Sequence, residues 1–432
     1  MFSFPNPGAL MQLDQFRLVL GGKTMIPLIV GGMGVNVSTS LLAREAARLG
    51  GIGHISDAMI PAVCDKLFGT KFVRNKRARN PEAAPSADKP DIHFDLDQLE
   101  KAQRMHVEDT MSGKQGSGQI FINVMEKLTM NRPVETLRAR LRAALDGGIE
   151  GITLSAGLHL RSLSLIEDHP RFRDVNLGIV VSSAKALKVF LTRAAKMLRL
   201  PDYVVVEGPL AGGHLGFSVD NWREFDLKQI VQSVLSFLKK EELDIPVISA
   251  GGVFTGGDAV ECIHQGASAV QVATRFAIAQ ESGFPDEVKQ AYLKAGPEDV
   301  EVNSVSPTGY AMRMLKQTPA MQKNSAPNCE SFGYLLNKGR CPYLNAWHNG
   351  MEKSRQRPER AGGPVCLCSE MLRYRCWTCG HNVYRLKETT NLLDNGAYQL
   401  PTAEDVFNDY RFSRGDEIRK PALINAKADS TA

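Results

Sequence analysis

The sequence predicts an α/β protein built on a (β/α)8 TIM barrel, with a C-terminal cover of helices and loops that contains a cysteine-rich segment. Eight short runs rich in Val and Ile follow one another along the first two thirds of the 432-residue chain. Helical patterns separate these runs. Each run is continuously apolar rather than alternating, as is typical of parallel strands covered on both faces. An open doubly wound sheet is the alternative, and eight strand–helix alternations favour the closed barrel.

The predicted strands, in chain order, are residues 25–30, 51–56, 119–124, 151–155, 178–182, 203–207, 246–250 and 269–273. Between them, apolar residues at spacings of three and four predict helices over residues 41–49, 134–145, 184–198 and 227–240. Each of these helical segments carries Lys, Arg or Glu on the opposite face. Such amphipathic helices are suited to cover the outside of a barrel.

Two parts of the chain depart from simple alternation. Residues 57–118 are longer than one crossover needs and include a polar stretch at 80–91, so we expect a helical excursion with a flexible segment. No strand pattern is evident after Ser282. We therefore assign residues 1–282 to the barrel and residues 283–432 to a C-terminal extension of helices and loops, with a loose tail from about Arg414.

Composition and charge narrow the class of partner. The chain has 52 Lys and Arg against 47 Asp and Glu, a net charge of +5, which is small for this length and argues against nucleic acid. No apolar run approaches the length of a membrane span, and the N-terminus lacks a signal-peptide pattern. We expect a cytoplasmic protein that acts on a small molecule.

Glycine-rich turns follow the last two predicted strands. Gly251 and Gly252 allow a ligand to approach the backbone, and the helix start that follows them is expected to favour an anion. After the eighth strand, the backbone of residues 273–275 could supply further donors beside Thr274. Each turn alone could be structural. Their positions at adjacent strands predict a phosphate site.

Other strand ends offer groups that could contact a flat ring or a substrate. Met33 follows the first strand and provides a polarizable surface, while the amide of Asn123 could pair with a heteroaromatic edge. His214 follows the sixth strand, next to Gly212 and Gly213. A histidine placed there could act as a base or donate a hydrogen bond to a substrate anion. A packing role in the loop is the alternative.

Four thiols lie within 14 residues of the C-terminal extension, at Cys366, Cys368, Cys376 and Cys379. A CxxC pair beside another thiol pair is typical of zinc or iron–sulfur sites. Cys329 or Cys341 could complete the set instead. The alternative is reduced thiols packed beneath a lid.

The order of motifs GGMGV, LGGIGHIS, INVM, VVVEGPLAGGHLGF, PVISAGGVFTGGDAV, VQVATRFAIAQES and VSPTGYAMR resembles the nitronate monooxygenase family, which is related to the FMN-dependent enoyl reductases. The resemblance implies a flavin-binding TIM barrel in which His214 is the catalytic histidine. The residues that it places against FMN are Met33, Asn123, Glu207, Gly212, Gly213, Gly251, Gly252, Gln271, Val272, Ala273 and Thr274. Two positions depart from the family pattern: Glu207 replaces a common Gln, and Ala273 replaces a common Gly.

The resemblance implies an oxidation of small alkyl nitronates, in which electrons pass to FMN and then to dioxygen. An NAD(P)H-dependent flavin reductase of an enoyl thioester or a quinone is the alternative. A non-catalytic flavin- or metal-binding protein is a second alternative, suggested by the cysteine-rich segment. The physiological substrate and the oligomeric state stay open at this point.

Overall fold

Eight parallel strands close into a barrel in the computed structural model, which describes residues 10–79, 95–126, 132–197, 199–322, 325–327, 341–354 and 363–423. A short antiparallel hairpin precedes the barrel, formed by β1 (Leu18–Leu20) and β2 (Lys23–Met25). Its buried residues Leu18, Leu20 and Met25 pack in one cluster with side chains of the barrel strands. The hairpin therefore covers one end of the barrel.

The barrel strands coincide with the eight runs predicted from the sequence, so that prediction is confirmed. They are β3 (Leu28–Val30), β4 (Ile52–Ser56), β5 (Gln119–Met125), β6 (Gly151–Ser155), β7 (Asn176–Val181), β8 (Tyr203–Glu207), β10 (Val247–Ala250) and β11 (Ala269–Val272), with a short strand β9 (Gly213–His214) outside the barrel. Neighbouring barrel strands pair in parallel, and β11 closes the barrel against β3. Nearly every residue of these strands is buried, which explains their continuous hydrophobicity.

Amphipathic helices surround the barrel as the apolar spacing predicts. The four predicted helices are α1 (Ser40–Arg48), α5 (Pro133–Asp146), α6 (Ala184–Ala194) and α7 (Leu227–Lys240). Three of them begin at a side-chain cap, since Thr39, Ser183 and Asp226 each accept a hydrogen bond from a backbone N–H of the first turn. The outer layer is completed after β10 by α8 (Gly256–His264).

The excursion between β4 and β5 is helical, as expected. It contains α2 (Ile60–Phe68), α3 (Phe72–Arg79) and α4 (Leu96–Ser112). The predicted flexible segment at 80–91 lies outside the described residues. Apolar residues of α2 and α4 share a buried cluster with residues of the C-terminal extension, including Met312 and Cys366. The excursion and the extension thus cover the same side of the barrel.

The C-terminal extension contains strands, contrary to the prediction of helices and loops alone. After α9 (Thr274–Ala277) and α10 (Asp286–Lys294), strands β12 (Val300–Asn303) and β13 (Met312–Leu315) form an antiparallel hairpin. β13 also pairs with β9, so Met312 lies opposite His214. These strands are only four residues long, and the second is buried throughout, so neither shows an alternating pattern in the sequence.

The chain then continues through α11 (Pro342–Ser354), α12 (Leu367–Glu370), a 3₁₀ segment (His381–Thr389) and α13 (Ala403–Phe412). The residues that follow α13 are attached to the protein, although a loose tail is expected from Arg414. The backbone N–H of Arg419 donates to Asp409, and Gln399 donates to the carbonyl of Ala422. None of the described helices has the length and apolar character needed to cross a membrane.

Candidate active site

A cavity of about 640 Å³ opens at the carboxyl ends of the barrel strands. Its size falls within the range of about 300–1,000 Å³ that small-molecule and cofactor sites occupy. All twelve residues that the sequence assigns to cofactor binding and catalysis line it: Met33, Asn123, Glu207, Gly212, Gly213, His214, Gly251, Gly252, Gln271, Val272, Ala273 and Thr274. The structure therefore brings together residues that lie between positions 33 and 274 of the chain.

The turn after β10 exposes unpaired backbone donors to this cavity. Gly251 and Gly252 have φ values of +93° and +99°, a conformation that favours glycine. The N–H groups of Gly251, Gly252 and Val253 donate no hydrogen bond to any residue that the structure describes. Thr274, at the end of the adjacent strand β11, also lines the cavity. Adjacent backbone donors of this kind form a cradle suited to a phosphate.

The start of α8, in contrast, does not provide the anion site that the sequence suggests. The carboxylate of Asp258 accepts hydrogen bonds from the backbone N–H groups of Phe254 and Thr255, at 2.8 and 2.9 Å. The N–H of Gly257 donates to the carbonyl of Gly415. The N–H groups at the start of α8 are thus already bonded to Asp258 and to the C-terminal segment. The backbone donors available to a ligand are therefore those of residues 251–253.

Two side-chain amides, those of Asn123 on β5 and Gln271 on β11, also line the cavity, beside the turn after β3. A Cβ on Gly32 would lie 2.4 Å from the Cβ of Asn123, so this position needs glycine if Asn123 is to reach the cavity. The Oε1 atom of Gln271 is buried and accepts no hydrogen bond within the described part of the chain. A buried amide oxygen without a partner is costly. These two amides fit the polar edge of a ring such as the isoalloxazine of FMN.

His214 is held at the cavity by a chain of hydroxyl groups. Its Nε2 atom lies 2.7 Å from Oγ of Ser306, and that oxygen lies 2.7 Å from Oγ1 of Thr308. Both hydroxyl side chains are buried. The Nδ1 atom of His214 makes no hydrogen bond to a described residue. This atom is not fully buried, so it is accessible to a ligand.

Burial determines the charge of His214. It lowers the pKa of the imidazole to about 4, so the ring is neutral at pH 7. A neutral imidazole offers one N–H donor and one lone pair. If the Ser306 hydroxyl donates to Nε2, Nδ1 carries the proton and can donate to a substrate oxygen. If Nε2 donates to Ser306, Nδ1 is free to accept a proton.

Glu207 lies at the end of β8 and faces the same cavity. Burial raises the pKa of this carboxyl to about 7, and the positive charge of Arg313 opposes the rise. The carboxyl therefore titrates near neutral pH, whereas glutamine at this position would stay neutral. Glu207 therefore brings a partial negative charge to the cavity at pH 7, and this charge grows as the pH rises.

The titration of Glu207 predicts a pH dependence of stability. The folded protein holds a proton on Glu207 up to about pH 7, while the unfolded chain loses it near the ordinary value of 4.5. The native state binds more protons between these values, so its stability falls as pH rises through this window and levels off above about pH 7. In thermal unfolding of the ligand-free protein, Glu207→Gln should remove this component and raise the Tm at pH 8 more than at pH 5. An equal effect of E207Q at both pH values would contradict the assignment.

Arg313, on β13, organises the turn between β8 and β9. Its side chain is completely buried, and Nη1 donates to the carbonyls of Pro209 and Ala211 at 2.7 and 2.5 Å. The guanidinium also lies 4.5 Å from the ring centroid of Trp222. One side chain thus fixes the backbone that leads from Glu207 to His214.

The sequence analysis did not identify Ser306, Thr308 or Arg313 as site residues. All three belong to the stretch VSPTGYAMR. That stretch contributes to the family resemblance, but no role was predicted for its residues. Conversely, His54 in the motif GIGHIS is a core residue. Its ring nitrogens lie 2.8 Å from the Val30 carbonyl and 2.6 Å from Thr153 Oγ1 inside the barrel.

The cysteine-rich segment gives no support to the predicted metal site. Cys366, Cys368 and Cys376 lie in one hydrophobic cluster, and Cys379 lies in a different one. In the described ranges, no group of three or more His, Cys, Asp or Glu side chains is arranged to hold a metal ion. Burial raises the pKa of Cys376 to about 12 and raises that of Cys379 further. Both thiols therefore stay protonated at neutral pH. Cys329 lies outside the described residues.

Comparison with known proteins identifies the family and several relatives. The family profile described as nitronate monooxygenase matches residues 20–341. A (3aS,4S,5R,7aS)-5-hydroxy-7a-methyl-1-oxo-octahydro-1H-indene-4-carboxyl-CoA dehydrogenase of Rhodococcus jostii (strain RHA1) is 36% identical over 102 residues, which cover 24% of this chain and 26% of the relative. A probable nitronate monooxygenase of Staphylococcus haemolyticus (strain JCSC1435) is 34% identical over 108 residues, 24% of this chain and 29% of the relative. The matched regions thus span less than a third of either relative's length.

Among solved structures, a nitroalkane oxidase from Streptomyces ansochromogenes superposes with a TM-score of 0.54 at 15% identity. The superposition covers 89% of this chain and 94% of that chain. At this level of identity the likeness concerns the fold alone.

Proposed function

The chain belongs to the nitronate monooxygenase family, and from this premise we propose that it is an FMN-dependent oxidoreductase that oxidises small alkyl nitronates with dioxygen. The observation that carries the proposal is the position of His214. A neutral imidazole, anchored through Ser306, lies at a cavity that also offers backbone donors for a phosphate and two amides for a flat heteroaromatic ring.

The residues of the cavity fit FMN by their chemistry. Backbone N–H groups of residues 251–253, with Thr274, would hold the phosphate, and Asn123 and Gln271 would bind the ring edge. The chemistry that FMN supplies when bound is the uptake of two electrons from a carbanion-like substrate and their transfer to dioxygen. The chain supplies orientation and proton control.

His214 has a defined task in this proposal. A nitronate carries negative charge on its oxygens, and Nδ1–H of a neutral imidazole could donate a hydrogen bond to one of them. The hydroxyl chain through Ser306 and Thr308 holds the ring in place and can reverse its donor direction. With the reversed tautomer, Nδ1 could instead remove a proton from carbon of a neutral nitroalkane.

A second candidate reverses the electron flow, as an NAD(P)H-dependent flavin reductase of an enoyl thioester. The observation that favours a CoA thioester as its substrate is the match to a carboxyl-CoA dehydrogenase, whose name specifies a CoA thioester. The same cavity and the same histidine would serve, with His214 giving the Nδ1 proton to the substrate carbon while Nε2 receives a proton through Ser306 and Thr308.

One set of experiments separates these candidates. The purified protein, supplemented with FMN, should show the absorbance of a bound oxidised flavin; failure to bind FMN would remove both candidates and favour the non-catalytic alternative. Under anaerobic rapid mixing, propionate 3-nitronate should bleach the flavin, and dioxygen should restore its colour. Rapid bleaching by NADPH, no bleaching by the nitronate and reoxidation by crotonyl-CoA would establish the reductase instead.

A further inference from the structure

The segment Cys376–Asn382 lies outside the region matched by the family profile, yet it reaches the candidate active site. The profile ends at residue 341. Gly380, His381 and Asn382 nevertheless line the same cavity as Gly252 and Thr274. This part of the cavity wall is therefore supplied by the C-terminal extension and not by the barrel.

Three consecutive residues of this segment bind three different barrel turns. The N–H of Gly380 donates to Oγ1 of Thr274 at 3.1 Å, after β11. The N–H of His381 donates to the carbonyl of Leu210 at 3.0 Å, after β8. The amide Nδ2 of Asn382 donates to the carbonyl of Gly252 at 2.9 Å, after β10. All three turns contain residues that we assign to the flavin site.

The segment packs so closely against the barrel turns that two positions have no room for a side chain. A Cβ on Gly212 would lie 2.6 Å from the carbonyl carbon of Cys379, and a Cβ on Gly380 would lie 2.6 Å from Thr274 Oγ1. The sequence suggests that Gly212 lets a ligand approach the backbone. The structure shows that the C-terminal segment itself occupies the space beside this glycine.

Further hydrogen bonds attach the segment to α10 and β13. The hydroxyl of Tyr292 donates to the carbonyl of Thr378 at 2.7 Å, and the N–H of Cys379 donates to the carbonyl of Arg313 on β13. The segment is thus connected to the strand that pairs with His214. Its position relative to the barrel turns is fixed from both sides.

We propose that the Gly380–Asn382 segment forms one wall of the FMN phosphate pocket, with Asn382 as the positioning residue that orients the turn of Gly251 and Gly252. The inference rests on the proposed function, because the phosphate belongs to the proposed cofactor. The amide of Asn382 holds the carbonyl of Gly252, so the N–H groups of residues 251–253 stay directed at the cavity. Cofactor retention then depends on a part of the chain that the family profile does not include.

The test compares FMN with riboflavin, which lacks the phosphate, in fluorescence titrations of the flavin-free protein. Asn382→Asp removes the donor and adds a negative charge beside the phosphate pocket. We expect this variant to weaken FMN binding by about tenfold to a hundredfold. Riboflavin affinity should change by less than about threefold, since the ring site is untouched.

Asn395→Asp is the matched control, because Asn395 is exposed in a turn of the same extension and its side-chain oxygen, retained in aspartate, accepts the hydrogen bond from Ala397. It should leave both affinities unchanged. If N382D does not fold, Asn382→Ala removes the same hydrogen bond without adding charge, and FMN binding should weaken by about threefold to tenfold.

Two outcomes would overturn the inference: unchanged FMN affinity in N382D and N382A, or an equal loss of FMN and riboflavin affinity. Both presuppose that the unaltered protein binds FMN. If the unaltered protein binds neither flavin, the proposed function fails before the variants are compared.

Discussion

Replacing His214 with asparagine is expected to slow flavin reduction by nitroethane, a neutral nitroalkane that must lose a proton from carbon, by about a hundredfold to ten-thousandfold, while FMN stays bound. The physical reason is the accessible Nδ1 atom of a neutral ring that Ser306 holds at Nε2. Asparagine retains a polar group of similar reach but cannot accept or deliver a proton at neutral pH. Anaerobic stopped-flow absorbance measures the reduction rate directly, and an FMN titration verifies that the cofactor site is intact.

His264→Asn is the matched control for this experiment. His264 is exposed at the end of α8 and does not line the cavity, so the same substitution there should leave the rate unchanged. Ser306→Ala should give an intermediate loss of about tenfold, because the imidazole keeps its chemistry and loses its orientation. A reduction rate in H214N equal to that of the unaltered protein would show that another group handles the proton.

Replacing Arg313 with leucine is expected to lower the free energy of unfolding by about 2–4 kcal/mol and to weaken FMN binding. The substitution leaves the carbonyls of Pro209 and Ala211 without their charged donor in a buried environment. Leucine also cannot replace the contact of the guanidinium with Trp222. Denaturant unfolding of the flavin-free protein measures the loss of stability.

Arg223 offers a matched control, because its guanidinium lies 4.3 Å from the same Trp222 ring but the residue is exposed. Arg223→Leu is the same substitution at an exposed position, where it removes a solvated charge. It should therefore lower the free energy of unfolding by less than about 1 kcal/mol. Similar losses in both variants would mean that Trp222 stacking, and not the pair of carbonyl hydrogen bonds, accounts for the role of Arg313.

A comparison of His214 with Glu207 shows what a motif does not determine about a residue at the cavity. Both residues belong to the motif VVVEGPLAGGHLGF, and both line the cavity. The protonation state of Glu207 depends on how far the carboxyl is buried and how close Arg313 lies, neither of which a motif encodes. The charge of Glu207 could therefore be inferred only from the tertiary structure.

The barrel strands and the four outer helices could be predicted from local patterns in the sequence: continuous hydrophobicity in strands covered on both faces and a 3.6-residue period in helices. Glycines at strand ends indicated where a ligand could approach the backbone, and the full set of twelve residues that line the cavity was implied by the resemblance to the family. In a (β/α)8 barrel, the carboxyl ends of all strands meet at one face, so strand-end residues converge once the fold is known.

The contacts that surround those residues could not be predicted from the sequence. Ser306 lies 92 positions from His214, and Asn382 lies 130 positions from Gly252, yet each pair is within hydrogen-bonding distance. The same structure distributes the four thiols between two clusters and covers the start of α8 with Gly415. Contacts of this kind depend on the path of the whole C-terminal extension across the barrel, which no local pattern of residues specifies.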